Sequence, residues 1–237
     1  MKQTQTVILF LGPEDSPLLK WLKDSGEAVV QTTEPITGSD ITNNVITHLV
    51  SYGYRHILKK DVLDLLPNRA VNLHISLLPW NRGADPNLWS FLEDSPKGVT
   101  IHFLDEGVDT GDIIAQREVQ FNEATDTLAS TYQKLQVAIQ ELFKQHWDSI
   151  KSGTCPRISQ AGKGSTHRMR DKERVQHLLS KGWDTPVEDL LEYAAETQMS
   201  MQFWEKYDQE IEEIRRTAQQ SPSHVRETRG GSRAGEA

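Results

Sequence analysis

Val71-Asn72-Leu73-His74-Ile75-Ser76-Leu77-Leu78-Pro79-Trp80-Asn81-Arg82-Gly83 is the stretch on which the reading of this chain turns. Its opening residues alternate apolar and polar, which is strand periodicity. In a strand, side chains i and i+2 share a face. Asn72 and His74 therefore project together, while Val71, Leu73 and Ile75 point into the opposite layer. Polar residues on one face of an apolar strand need partners or a purpose. Open α/β sheets bind ligands beyond the carboxyl ends of their strands, where this segment breaks at Pro79. Taken alone, the pair has the plainer reading of an Asn and a His satisfied inside a core.

The surroundings of that strand define the fold class. Val7–Leu11 is a short apolar run stopped by Gly12-Pro13, a buried strand ending in a loop. Ser16–Lys23 carries Leu18, Leu19 and Leu22 at helical spacing. Glu27–Gln31, His48–Tyr54, Gly98–Leu104 and Asp112–Phe121 read as strands, and Asp61–Leu66 and Asn87–Leu92 as short helices. Thr127–Ile150 is the clearest helix, with Leu128, Tyr132, Leu135, Ile139, Leu142 and Ile150 on one stripe. Strands alternating with helices predict an α/β, Rossmann-like, mostly parallel sheet. A small helical extension is expected after it: a helix over Asp171–Ser180, then one capped by Thr185, with Pro186 at its first position and Glu188 completing a capping box, running toward Arg216. The division expected is 1–152 for the main domain, 153–216 for the extension and 217–237 for a disordered tail, which has one valine and no leucine, isoleucine or aromatic residue.

The chain has 237 residues, 36% of them hydrophobic, with 34 acidic against 26 basic residues and a formal charge of -8. An acidic surface repels nucleic-acid phosphates, so tRNA and DNA are not expected as partners. A lone cysteine, Cys155, gives no disulfide framework. The first apolar run is five residues long, too short for a signal segment, and no stretch reaches membrane-spanning length. A soluble, cytoplasmic protein without membrane attachment is expected.

The second informative segment is Gly98-Val99-Thr100-Ile101-His102-Phe103-Leu104-Asp105-Glu106-Gly107-Val108-Asp109-Thr110-Gly111-Asp112: a strand, then an acidic glycine-bearing loop. Together the two segments resemble the folate-dependent formyltransferase family, which includes glycinamide ribonucleotide, methionyl-tRNA and sugar N-formyltransferases. The resemblance rests on Asn72, His74 and Ser76-Leu77-Leu78-Pro79, followed by His102, Asp109 and Gly111. It covers roughly Val7 to Ile150. One departure is Ile75, where many members have proline; that side chain faces away from the pair.

The resemblance implies that Asn72, His74 and Asp109 are catalytic, with 10-formyltetrahydrofolate as co-substrate and no metal. Asn72 and the His74 ring can donate to a developing oxyanion. Histidine also suits a proton shuttle near neutrality, with Asp109 orienting it, stabilising its cation or holding a relaying water. His102 has the plainer reading of a strand histidine bonded to the loop. By the same resemblance, backbone from Tyr54, Arg55, His56, Ile57 and Leu58, and from Asp105 and Gly107 in the Asp105–Asp109 loop, lines the pterin cleft. Trp80, Arg82, Gly83 and Pro86 lie toward the acceptor.

The acceptor is argued from contrasts. Glu14 and Asp15 stand where glycinamide ribonucleotide enzymes cradle a phosphate. Methionyl-tRNA enzymes carry a C-terminal β-barrel and basic surfaces, whereas helices are expected here. Formyltetrahydrofolate hydrolases carry an N-terminal regulatory domain, and none is read here. Gln160–Lys172, with Ser165, Thr166, His167 and Asp171, resembles a segment that follows the core in sugar formyltransferases. The expected acceptor is an amino-deoxy sugar on a nucleotide, made for a surface polysaccharide. The alternatives are another small amine, methionyl-tRNA, or a non-catalytic folate-binding module. Trp80, Trp89 and Trp183 offer flat faces for a base or sugar, or else pack in the core. Met199, Phe203 and Trp204 are surplus apolar residues compatible with a homodimer.

Overall fold

The computed structural model describes residues 6–197. The continuation toward Arg216, the tail at 217–237, and Met199, Phe203 and Trp204 lie outside the described residues.

The main sheet is built from β1 (Val7–Leu11), β2 (Ala28–Thr32), β3 (His48–Ser51), β4 (Ala70–His74), β6 (Gly98–Phe103) and β7 (Ile113–Glu118), with β5 (Arg82–Gly83) set apart. Its order is β2-β1-β3-β4-β6-β7. The first four strands are parallel, while β6 runs antiparallel to both β4 and β7. The α/β class is therefore observed, with a parallel half and an antiparallel edge. The strand β4, which carries Asn72 and His74, lies at the junction of the two halves.

Period-two alternation sorts each strand between two cores. Ile8, Phe10, Val50, Val71 and Leu73 join a core with α1 (Pro17–Asp24) and α5 (Leu128–Ser152). Leu9, Leu11, Leu49 and Ala70 join another with α2 (Gly38–Asn43) and α3 (Lys60–Leu65). Asn72 and His74 alternate with Val71 and Leu73, so they leave the first core and face the other side. The strand β6 is buried along its whole length because it lies between two strands under α5. Its Thr100 hydroxyl donates to Ser76 O at 2.7 Å and accepts from Leu78 N at 3.1 Å. That pins the turn by which the chain leaves β4.

Some local expectations need correcting. The helix α2 was not anticipated, because only Ile41 of its six residues is buried and no stripe forms. The strand β3 stops at Ser51, and Gly53 turns the chain at φ 73°. On α5, Tyr132 is 49% exposed, whereas Ala138, Phe143 and Trp147 complete the buried face. The segment expected as a helix over Asp171–Ser180 is a 3-10 helix, Met169–Leu178, in which only Val175 is buried; its charged run has too narrow an apolar stripe to hold an α-helix. Before α6 (Val187–Glu196), Pro186 rather than Thr185 is the cap residue. Thr185 is committed elsewhere: its hydroxyl donates to Gly182 O, and its carbonyl accepts Leu128 N at the start of α5.

The chain after α5 returns to the segment that follows β4. Strand β8 (Thr166–His167) pairs in parallel with β5. Arg82 N donates to Ser165 O and Ala84 N to His167 O. Gly164 sits so close to Pro79 that an added Cβ would stand 2.1 Å from its carbonyl oxygen. The helix α6 packs on α4 (Pro86–Leu92) through a third core that includes Leu88, Trp89, Val187 and Leu190.

Candidate active site

Asn72, His74, His102 and Asp109 meet at the end of β4. Antiparallel pairing sets Asn72 opposite His102. Asp109 comes from the loop after β6 and adopts a left-handed backbone, φ 53°, which Asp tolerates better than most residues. Gly111, two residues on, cannot carry a side chain: a Cβ would lie 1.8 Å from Phe103 O.

The Asp109 carboxylate is the hub. Its Oδ1 accepts from Asn72 Nδ2 at 3.1 Å and lies 3.3 Å from His102 Nε2. Its Oδ2 accepts from Gly83 N at 2.8 Å and lies 3.5 Å from His74 Nδ1. Burial works to raise this carboxyl's pKa. The His74 and His102 imidazoles and the Gly83 N–H outweigh it and hold it well below the usual carboxylate range. Asn72 Nδ2 is also 3.2 Å from His102 Nε2. Asn72 Nδ2, Asp109 Oδ1 and His102 Nε2 thus form a near-equilateral triangle. The two N–H bonds of a planar amide diverge too widely to point at one partner each. One N–H points at Asp109 Oδ1, which leaves the other for the cleft.

The adjoining cleft has a volume of about 660 Å³ and is lined by residues of several elements, among them Asn72, His74, Asp109, Gly12, Tyr52 and Gln136. Burial pushes the Tyr52 phenol up to about 12. Its hydroxyl donates to Gln136 and accepts from Gln140 Nε2 at 3.0 Å.

Of the residues expected at the folate, Tyr54, Arg55 and His56 line this cleft. Leu58 is instead buried in the α2–α3 core and Ile57 is 77% exposed. Asp105 accepts from Gly107 N and Thr110 Oγ1, so these residues shape the loop rather than the cleft wall. On the acceptor side, Gly83 and Pro86 line the cleft. Trp80 is 4% exposed and sits on a separate hollow with Phe91 and Lys97. The Arg82 guanidinium turns onto Gln160 Oε1, at 3.0 and 2.6 Å. Trp89 is buried and stacks on His167, whereas Trp183 is exposed beneath Lys172.

The sequence reading passed over Gln160. Its Nε2 donates to Asp109 O and Gly111 O, both at 2.8 Å, tying the Asp109 loop to Arg82. Nothing in its local sequence marks it, because its partners are 49 to 78 positions away. His102 was read as merely loop-bonded; Nδ1 does lie 2.8 Å from Phe103 O, but Nε2 faces Asp109 and Asn72. Among the described residues no group of three or more His, Cys, Asp or Glu is placed to hold a metal. No helix among them is long and apolar enough to cross a membrane.

Residues 40–146 match the formyl transferase family model. The chain is 48% identical to the formyltransferase PseJ from Anoxybacillus kamchatkensis, whose crystal structure is in complex with UDP-4,6-dideoxy-4-formamido-L-AltNAc and tetrahydrofolate. The TM-score is 0.75, and the match covers 79% of this chain and 99% of that one. Among curated proteins, it is 37% identical over 110 residues to the dTDP-4-amino-4,6-dideoxyglucose formyltransferase of Mycobacterium tuberculosis, covering 46% of this chain and 47% of that protein. It is 31% identical over 145 residues to the methionyl-tRNA formyltransferase of Desulforamulus reducens, covering 60% and 44%. The chain spans about half the length of the curated relatives it matches. The Asn–His–Asp cluster on a mixed sheet and the match along nearly all of PseJ agree, and the chain belongs to the formyltransferase family.

Proposed function

We propose that this protein transfers a formyl group from 10-formyltetrahydrofolate to the amine of an amino-deoxy sugar carried on a nucleotide. The observation that carries the reading is the convergence of Asn72, His74 and Asp109 on one cleft, in a chain that matches nearly the whole of a formyltransferase solved with a nucleotide formamido sugar and tetrahydrofolate. The cleft fits the donor: a few hundred Å³ is typical for a ligand of that size. Tyr54, Arg55 and His56 line it together with Asn72, His74 and Asp109. The co-substrate supplies an activated formyl carbon when bound.

The chain's own residues then have distinct tasks. The Asn72 N–H not directed at Asp109 donates to the oxygen on which charge develops. His74, poised beside Asp109, accepts a proton from the attacking amine and returns it to the departing nitrogen. Asp109, held ionised by both imidazoles, stabilises the His74 cation while it exists. We further read the product as a precursor for a surface polysaccharide and place the reaction in the cytoplasm.

The test is a panel of nucleotide amino sugars with 10-formyltetrahydrofolate, following tetrahydrofolate release and the formamide product by mass spectrometry. Turnover is expected with a UDP-linked 4-amino-4,6-dideoxy sugar. Turnover only with a free amine or with charged tRNA would overturn the sugar assignment. Donor binding without turnover of any amine would make this a folate-binding module.

A further inference from the structure

His74 Nε2 lies 3.0 Å from the backbone oxygen of Asn81, seven residues along the chain. A carbonyl oxygen only accepts, so Nε2 carries a hydrogen whether the ring is neutral or charged. The nitrogen that gains and loses a proton is then Nδ1, which faces Asp109. What aims this carbonyl is unusual for a turn. Asn81 has no solvent exposure and a left-handed φ of 54°. Every polar atom it owns is engaged. Its Nδ2 donates to Glu93 Oε2 at 2.9 Å, its Oδ1 accepts from Ser95 Oγ at 2.8 Å, and its backbone N donates to Ser165 Oγ at 2.9 Å.

Glu93 is itself anchored from the far side. Its Oε1 meets His167 Nε2 at 2.8 Å and its Oε2 accepts from Ser165 Oγ at 2.7 Å. The His167 ring lies flat on Trp89, with centroids 3.9 Å apart and planes 6° from parallel. A left-handed turn needs only an Asn or a Gly. Drawing a carboxylate–imidazole pair largely out of water behind it is costly and adds nothing to the turn itself.

We propose that Asn81 is a positioning residue for His74: its carbonyl fixes the ring proton on Nε2, leaving Nδ1 for proton exchange at the cleft, and the Glu93–His167 pair holds that carbonyl in place. Glu93, Ser165 and His167 act on the chemistry only through Asn81. This assignment rests on the formyl-transfer reading for its consequence, though not for its geometry. It also gives the chain after α5 a task, since Ser165, just before β8, and His167, within it, are two of the anchors.

The experiment reads the tautomer directly. With ¹⁵N-labelled histidine, at a pH where the ring is neutral, His74 is expected as the Nε2–H tautomer; an Nδ1–H signal in the wild-type protein would overturn the proposal with no variant needed. Glu93→Ala is expected to lower kcat about tenfold or more, leave both KM values within about threefold, and mix the two tautomers. Glu93→Gln should restore most of the rate, because its amide oxygen still receives Asn81 and Ser165. Should Glu93→Ala not fold, Ser95→Ala removes a single bond to Asn81 and should move the same signals in the same direction, with a loss of about threefold. A folded variant whose kcat falls while His74 stays Nε2–H, or whose kcat and tautomer both stay as in the wild type, overturns it. Failure of the wild type to formylate any acceptor would sink the functional reading, while the tautomer result would still decide the positioning claim.

Discussion

Asp109 does more than orient one histidine. Two imidazoles, one amide and one backbone N–H converge on its two oxygens. Because its folded pKa is depressed, the stability it contributes is fully present above its unfolded value, about pH 4. That stability is lost as pH falls through the folded value. Wild type should therefore lose thermal stability relative to Asp109→Asn as the pH drops below about 4; parallel melting curves across that range would refute the ionised-hub description. At neutral pH the same variant should lose most of its turnover. Asn72→Ala should lower kcat about a hundredfold or more, the usual cost of one oxyanion donor, with little effect on donor binding. Tetrahydrofolate release under saturating substrates measures it. The pairing of Asn72 with His74 was legible from strand alternation, and Asp109 from its motif. His102 was undervalued because its second nitrogen is committed only across the β4–β6 pairing.

At the scale of elements, α5 carries the largest share of the core. Thr127 caps it, exchanging bonds with Ser130, and Gly153 ends it in a left-handed turn. Both ends and the apolar stripe could be read from sequence. The exception, Tyr132, shows the limit of periodicity: a helix presents its stripe to whatever lies beneath, and at that turn the sheet gives way to the cleft. Phe143 is fully buried between Trp21 and Trp147. Phe143→Ala should cost about 3–5 kcal/mol through lost burial and the cavity left behind. Urea unfolding with an unchanged m-value would measure it. The start of α6 is illegible for a related reason: Val187 N donates to Asp126 O and Thr185 O accepts from Leu128 N, and the helix packs on α4, so long-range contacts rather than local propensity set its backbone.

Over the whole molecule, the chain after α5 fastens the Asp109 loop and the segment after β4 together. Gln160 links the Asp109–Gly111 backbone to Arg82, and β8 holds β5. Removing the Gln160 amide should loosen the loop without unfolding the sheet. In Gln160→Ala, amide hydrogen exchange over residues 105–111 should quicken about tenfold, as expected for a lost net bond of about 1–1.5 kcal/mol. Exchange in β1 and β3 should stay unchanged. Equal protection of the loop in both proteins would show that the staple is dispensable.

The amino-acid sequence by itself determined the alternation of strands and helices, the shared face of Asn72 and His74, and the long helix behind the sheet. Each of these follows from periodicity and sterics within a few residues. Tertiary structure decided where Asp109 stands, that Trp80 turns away from the cleft while Tyr132 turns toward it, and that Gln160, Glu93 and His167 support the site. Those facts depend on hydrogen bonds between residues up to 84 positions apart, and no local pattern encodes a partner at that distance.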